Sequence, residues 1–224
     1  MKTLLFDIDG TLIVTNGTGT QALDAVLREN FGVECPNLEV KFGGRTDCSL
    51  LREVMLMNDI NPSQLNFDTF ASAYHARLPD TLQECGGIVL PGVVELLTRL
   101  RQHDDLRCAV MTGNLKATAT QKLEHFGLLA YFDHIFGGDF DADRRHLARR
   151  TALFLRGAHG HRPTDGTIVI GDTPADIICG LDINASVMAV CTGNFERETL
   201  ETAGAHVVHH DLSDVDAIYR WLTQ

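Results

Sequence analysis

The sequence predicts an α/β protein, a doubly wound parallel sheet with an inserted all-helical subdomain. Short apolar runs recur along its 224 residues, each followed by turn residues and an amphipathic stretch. Continuous apolarity, as opposed to alternation, marks strands buried on both faces, the habit of parallel sheets covered by helices. One long block, residues 14–85, carries helical patterns and no convincing strand.

The first strand is 3–7, where Leu4-Leu5-Phe6 runs into Asp7. The helical block follows, with helices expected at 21–30, 49–57 and 64–78 and a core of Phe31, Phe67, Phe70 and Tyr74. Gly17 and Gly19 flank it on one side and Gly86-Gly87 on the other, as flexible connections. The rhythm then resumes, with strands at 107–112, 134–136, 167–170, 187–191 and 206–208. Helices are expected at 93–101, 115–126, 145–155, 175–181, 196–203 and 215–222. Gly127 and Gly204 stand where helix C-terminal glycines belong. Residues 1–13 and 86–224 then make an α/β core, and 14–85 an insert. Open sheets of this kind bind ligands at the C-terminal ends of their strands.

Composition narrows the partners. Thirty acidic residues against 19 basic ones give a formal charge of −11, which argues against nucleic acid or an anionic membrane, since both demand a basic face. A phosphorylated small molecule stays admissible, because a bound cation reverses the local sign. The six cysteines are scattered without a C-x-x-C pair, as in a reducing compartment. No targeting segment is visible and no run approaches the roughly 18 apolar residues of a membrane helix. The expectation is a soluble, cytoplasmic protein.

The sharpest feature is Asp7-Ile8-Asp9-Gly10-Thr11 at the point where the first strand runs out. An ordinary turn accounts for one aspartate, not for an apolar strand ending in two. A second acidic pair closes another strand, in Gly171-Asp172-Thr173-Pro174-Ala175-Asp176. Neighbouring strands would bring Asp7, Asp9 and Asp172 together. Unit charges about 4 Å apart repel by roughly 4 kcal/mol at an effective dielectric of 20. Three such pairs cost on the order of 10 kcal/mol, comparable with the stability of a whole domain. Either protons or a cation must answer that charge, and an all-oxygen donor set without His or Cys points to Mg²⁺.

Thr112-Gly113-Asn114 ends a third strand, where a hydroxyl and the following backbone N–H groups suit a phosphate oxygen. Thr192-Gly193-Asn194 repeats the tripeptide, so one copy could be turn chemistry alone. A phosphate beside carboxylates needs a fixed cation, and the stretch from Asp143 to Arg150 supplies one. Arg144 is the first candidate and Arg145 the alternative.

Together these segments resemble the four motifs of the haloacid dehalogenase superfamily, in order and in strand placement. The insert is similar to the C1 cap of its phosphoglycolate-phosphatase-like members. The third motif departs from the family, which usually has Lys there. No Lys follows Lys122 in this chain, so an arginine substitutes. The resemblance implies Asp7 as nucleophile and Asp9 as general acid and base. It also implies Mg²⁺ held by Asp7, the Asp9 backbone carbonyl and Asp172, with Asp176 in support. Thr112, Gly113 and Arg144 would grip the phosphate. Gly43-Gly44-Arg45-Thr46-Asp47 is similar to a substrate loop of related caps, in which Arg45 and Thr46 would meet the substrate.

Asp9 favours phosphoryl transfer over dehalogenation, because a departing halide needs no proton. A phosphomutase or phosphonate hydrolase would call for a cap lysine, and the insert's lone lysine is Lys41. A phospho-accepting receiver module would place its aspartate after the third strand and lack the insert. Gly17-x-Gly19-x-x-Ala22 mimics a dinucleotide fingerprint but lies past the strand end, so it reads as a hinge. His206, His209 and His210 read as a strand end and loop.

Overall fold

The computed structural model describes residues 2–41, 43–159 and 166–224. The run Lys2–Phe6 forms strand β1, with Leu4, Leu5 and Phe6 wholly buried. After a tight curl the chain enters β2 (Ile13–Thr15) and then three helices, α1 (Thr18–Phe31), α2 (Asp47–Met57) and α3 (Gln64–Cys85). It returns through β3 (Gly87–Val89), α4 (Val93–Leu100), β4 (Leu106–Met111), α5 (Lys116–His125) and β5 (His134–Phe136). The remaining elements are α6 (Arg144–His159), β6 (Thr167–Gly171), α7 (Pro174–Asp182), β7 (Ser186–Val190), α8 (Arg197–Thr202), β8 (Val207–His209) and α9 (Val215–Thr223).

Six strands make one sheet in the order β5-β4-β1-β6-β7-β8, and each pairing is parallel. The side chains alternate between two cores. Leu4, Phe6, Cys108, Val110, Ile168 and Ile170 join the apolar cluster under α4, α5 and α9. Leu5, Ala109, Met111 and Val169 face the opposite cluster, which includes Leu147, Leu155 and Ile177 of α6 and α7. Both faces are therefore covered, as the doubly wound expectation requires.

The winding reverses at β1, with β4 and β5 added on one side and β6 to β8 on the other. Phe6 is level with both Val110 and Ile170. The residues just past the ends of β1, β4 and β6 thus meet at the switch point, where such sheets bind ligands.

The helices α1, α2 and α3 share a separate apolar cluster. It includes Leu23, Leu51, Met55, Phe67, Phe70, Tyr74 and Leu82, and Leu115 joins it from the start of α5. Phe31 stacks on Phe70 at 5.3 Å. Two features of this block differ from the sequence reading. Val14 and Thr15 lie in a strand, paired antiparallel with β3 so that Ile13 meets Val89 and Thr15 meets Gly87. Three residues are too few to display a period, so the ribbon left no pattern to read. And α3 continues through Pro79 to Cys85. Proline denies the carbonyl four residues earlier its helical donor. Here the His75 carbonyl accepts from Gln121 Nε2 at 3.1 Å instead, and the burial of Leu78, Thr81 and Leu82 carries the helix on.

Phe6 directly precedes the first acidic motif and packs edge-on against Phe132 with ring centroids 5.9 Å apart. Phe6→Ala is expected to lower the unfolding free energy by about 3–5 kcal/mol in chemical denaturation, through lost contacts and a cavity. A loss below about 1 kcal/mol would show that the site end of β1 does not depend on this packing.

Candidate active site

Asp7 is the first residue beyond β1, and its N–H donates to Ile170 O at 2.9 Å, which fixes it beside the end of β6. The chain then curls so that the N–H groups of Thr11, Leu12 and Ile13 all point at Ile8 O. Gly10 makes this turn at φ 81°, and a Cβ there would lie 2.4 Å from Asp172 Oδ2, so only glycine fits. Thr11 Oγ1 donates to Asp172 Oδ1 at 3.1 Å. The repeated tripeptide serves the same junction. Thr192 Oγ1 donates to the Gly10 carbonyl, and Gly193 packs against the Asp172 carboxylate.

Asp172 follows β6, and Thr173 caps α7 with Pro174 as first helical residue. Thr173 and Asp176 form a reciprocal capping box, with Asp176 N–H on Thr173 Oγ1 at 3.2 Å and Thr173 N–H on Asp176 Oδ2 at 3.1 Å. That box turns Asp176 inward. Asp7, Asp172 and Asp176 each offer one carboxylate oxygen, all within 4.8 Å of one another and all buried.

Arg144, the first residue of α6, reaches this trio. Its Nη1 lies 3.4 Å from Asp7 Oδ1 and its Nη2 pairs with Asp176 Oδ1. It shares the buried stripe of α6 with Leu147, Ala148 and Leu155, whereas Arg145 lies one step round the helix and is exposed. Of the two arginines, only Arg144 enters the site.

The convergence of Asp7, Asp9 and Asp172 expected from the sequence is corrected on one point. The third acid beside Asp7 and Asp172 is Asp176, and the Asp9 carboxylate turns to another wall. There Lys122 Nζ donates to Asp9 Oδ1 at 2.8 Å and Oδ2 at 2.7 Å, and Asn114 Nδ2 donates to Oδ2 at 2.7 Å. Lys122 is the residue the sequence reading missed. Its signal was spacing, since on α5 it occupies the same buried face as Thr118, Ala119 and Leu123, a position where an unpaired lysine cannot rest.

Charge and burial separate the two aspartates of the first motif. Burial pushes the Asp7 carboxyl up, Arg144 pulls it partly back, and Asp176 and Asp9 push it further. Asp172 is raised by burial and by the charges of Asp176 and Asp7. For Asp9 burial acts upward too, but the Lys122 ammonium and the bonds from Lys122 and Asn114 outweigh it, so its carboxyl lies below the ordinary range.

Thr112 stands at the end of β4. Its Oγ1 accepts from Asn114 N at 3.3 Å and Nδ2 at 2.8 Å, which leaves its own proton for another acceptor. Gly113 tolerates no side chain, because a Cβ would lie 1.9 Å from Arg45 O. The loop holding Arg45 is thus laid directly on Gly113. Asp47 N–H donates to Gly113 O at 2.7 Å, and Asp47 Oδ2 accepts from Leu115 N at 2.9 Å. Burial raises the Asp47 carboxyl to about 6.

A cavity of ≈ 510 Å³ lies between the strand ends and the helical block. Asp7, Asp9, Thr112, Gly113, Arg144 and Asp172 line one side, and Arg45, Asp47, Leu51 and Tyr74 the other. Arg45 faces the cavity but pairs with Glu53 at 2.6 Å. Thr46 is not a lining residue. It is buried, caps α2, and donates from Oγ1 to Asp141 O at 2.7 Å. Among the described residues the acidic trio is the one group spaced to hold a metal, and the histidines near the C-terminus form no such group. His206 Nδ1 instead accepts from Val187 N.

The raised carboxyls have a consequence for stability. A folded-state value above the unfolded one means that the folded chain binds more protons, so this contribution is lost as pH rises through the folded value. For Asp172 that value is about 8. In metal-free buffer, Asp172→Asn is therefore expected to be more stable than the parent by about 1–3 kcal/mol near pH 8, with a smaller gain near pH 5. Denaturation curves at both pH values check it, and a variant less stable than the parent at the higher pH would refute it.

Comparison with known proteins agrees with this geometry. The pattern of the haloacid dehalogenase-like hydrolases matches residues 4–190. A phosphoglycolate phosphatase from Caulobacter vibrioides is 26% identical over 218 residues, spanning 95% of this chain and 88% of that protein. Pyrophosphatase PpaX from Oceanobacillus iheyensis is 22% identical over 219 residues, spanning 97% and 96%. Among solved structures, CbbY from Rhodobacter sphaeroides in complex with phosphate shares the fold with a TM-score of 0.74, at 19% identity over 96% of each chain. Strand order, acidic motifs and sequence likeness converge, and the chain belongs to the haloacid dehalogenase-like hydrolases, where it is similar to the phosphoglycolate phosphatases.

Proposed function

We propose that the chain is a Mg²⁺-dependent phosphatase that hydrolyses a small-molecule phosphomonoester through an aspartyl-phosphate on Asp7. One observation carries the reading. Asp7 and Asp9 face the same cavity from opposite settings, Asp7 in the acidic trio beside Arg144 and Asp9 on Lys122 and Asn114. Asp7 lies among the carboxylates spaced to share a cation, as a nucleophile aimed at a phosphate needs, whereas Asp9 stands apart from them with its carboxylate open to the cavity, as a proton carrier needs.

The residues fit a divalent ion. If fully ionised, the carboxylates of Asp7, Asp9, Asp172 and Asp176 would exceed the charges of Arg144 and Lys122 by two, and a divalent ion would both keep the raised carboxyls ionised and balance them. The donors are all oxygen, which suits Mg²⁺ over softer metals. Asp7, Asp172 and the Asp9 backbone carbonyl are the proposed ligands, with Asp176 in support. Bound there, Mg²⁺ would neutralise phosphate oxygens and let the anion approach a carboxylate.

In the proposed cycle Asp7 attacks phosphorus as the ester oxygen departs, and Asp9 supplies the proton that oxygen needs. A water then attacks the aspartyl-phosphate, Asp9 takes its proton, and phosphate leaves Asp7. Arg144, the free Thr112 hydroxyl proton and the Gly113 backbone hold the non-bridging oxygens.

The helical block, residues 14–85, is proposed as a cap over a core of 1–13 and 86–224, and substrate choice as its task. Support comes from its separate apolar cluster and from the cavity at its seam with the sheet. Arg45 is the cap cation at that seam, and a carboxylate on the substrate, as in a phosphoglycolate-like ester, would compete with Glu53 for it. Thr46 is better placed to seat the cap than to touch substrate.

With p-nitrophenyl phosphate and Mg²⁺, Asp7→Asn is expected to abolish turnover while circular dichroism stays unchanged, and excess EDTA to abolish it in the parent. Undiminished turnover in either case would sink the mechanism. Arg144→Ala should cost about 10²–10³-fold in kcat/KM, and Arg145→Ala less than about threefold. The reverse order would move the phosphate site to Arg145. A screen of phosphorylated metabolites for phosphate release tests the substrate class.

A further inference from the structure

Lys122 has a buried side chain with no role in the cycle above. It is 5% exposed, on the inward face of α5, and its ammonium meets three oxygens, Asp9 Oδ1 at 2.8 Å, Asp9 Oδ2 at 2.7 Å and Asn114 Oδ1 at 2.8 Å. Three donors with three acceptors satisfy the ammonium completely. The arrangement also closes on itself, because Asn114 Nδ2 donates both to Asp9 Oδ2 and to Thr112 Oγ1.

Fold stability does not explain this lysine. Replacing a buried ion pair with apolar residues of similar volume is often neutral or stabilising. The neighbouring positions on the same face are Ala119 and Leu123, so a leucine or methionine at 122 would extend the apolar stripe. What the lysine adds is orientation. An ammonium bridging both carboxylate oxygens, with an amide on one of them, fixes the Asp9 carboxylate in its plane. That carboxylate keeps 42% of its side-chain surface open, and it lines the cavity.

We propose that Lys122, braced by Asn114, is a positioning residue that holds the Asp9 carboxylate ready to receive the proton of the attacking water. The proposal rests on the phosphatase reading given above. In the step concerned, the O–H bond of water breaks and its proton passes to Asp9. The water oxygen bonds to phosphorus, and the bond from phosphorus to the Asp7 oxygen breaks with its electron pair returning to Asp7. Lys122 touches neither water nor phosphate and acts through Asp9.

The test is pre-steady-state and steady-state hydrolysis of p-nitrophenyl phosphate in Mg²⁺ by the full chain, comparing the parent with Lys122→Met. Nitrophenolate leaves without needing a proton, so kcat/KM reports formation of the aspartyl-phosphate and kcat reports its breakdown. Loss of positioning is expected to lower kcat about 10²-fold, with KM falling in parallel and kcat/KM changed less than about threefold. A burst of nitrophenolate approaching one equivalent per enzyme should accompany it. Lys122→Gln, which keeps one donor for Asp9, should show the same pattern with a smaller loss in kcat.

Equal losses in kcat and kcat/KM without a burst would overturn the proposal and leave the phosphatase reading intact. So would failure of both variants to fold, which would make Lys122 a structural residue. A parent protein without Mg²⁺-dependent turnover would overturn the phosphatase reading itself, and the inference with it.

Discussion

Carboxylate crowding at the ends of two adjacent strands governs this structure. Parallel pairing of β1 with β6 brings Asp7 next to Asp172, and the α7 capping box adds Asp176. Water cannot screen charges placed so deep, and each must find a proton, a cation or a donor. The surrounding residues answer that need one by one. Arg144 takes Asp7 and Asp176, Thr11 takes Asp172, and Lys122 with Asn114 takes Asp9. Even the backbone yields, since only a turn without a side chain, at Gly10, can lie this close to the Asp172 oxygens.

The stability that carries this charge lies directly behind it. Leu4 and Phe6 point into one apolar cluster and Leu5 into the other, so β1 is clamped on both faces before it releases Asp7. Burying such side chains contributes roughly 1.5–3 kcal/mol each, while the charged pairs in front contribute little net stability. Rigidity and chemistry are divided between consecutive residues of one strand.

Much of this was legible in the sequence because it rests on short-range patterns. Continuous apolar strands, two acidic strand ends and the Thr-Pro start of α7 all write themselves into a few adjacent letters. The parallel, doubly covered sheet followed from alternating strands and helices, while its strand order came from the structure. Arg144 could be preferred over Arg145 from position, and helix geometry then separated them. What stayed hidden depends on contacts between distant segments. The rotation of Asp9 away from the other acids is decided by Lys122, 113 residues along the chain. Helix α3 outlasts Pro79 because Gln121 meets its freed carbonyl. Thr46 turns from the cavity because the Asp141 carbonyl lies within its reach. None of these pairings leaves a local period.

The seam between the helical block and the sheet converges on the N-terminal end of α5. That helix has no side-chain cap from its own N-cap residue, Leu115. Its leading N–H groups are taken from outside, Leu115 N by Asp47 Oδ2 and Lys116 N by Asp139 Oδ2. Lifting the 45–47 loop would uncover a donor at a positive helix end, where a carboxylate is worth most. Lys122 lies seven residues further along, about two turns of the same helix. Seating of the helical block and aim of the Asp9 carboxylate are thus fastened to one rod, and a disturbance at either end has a short, stiff path to the other.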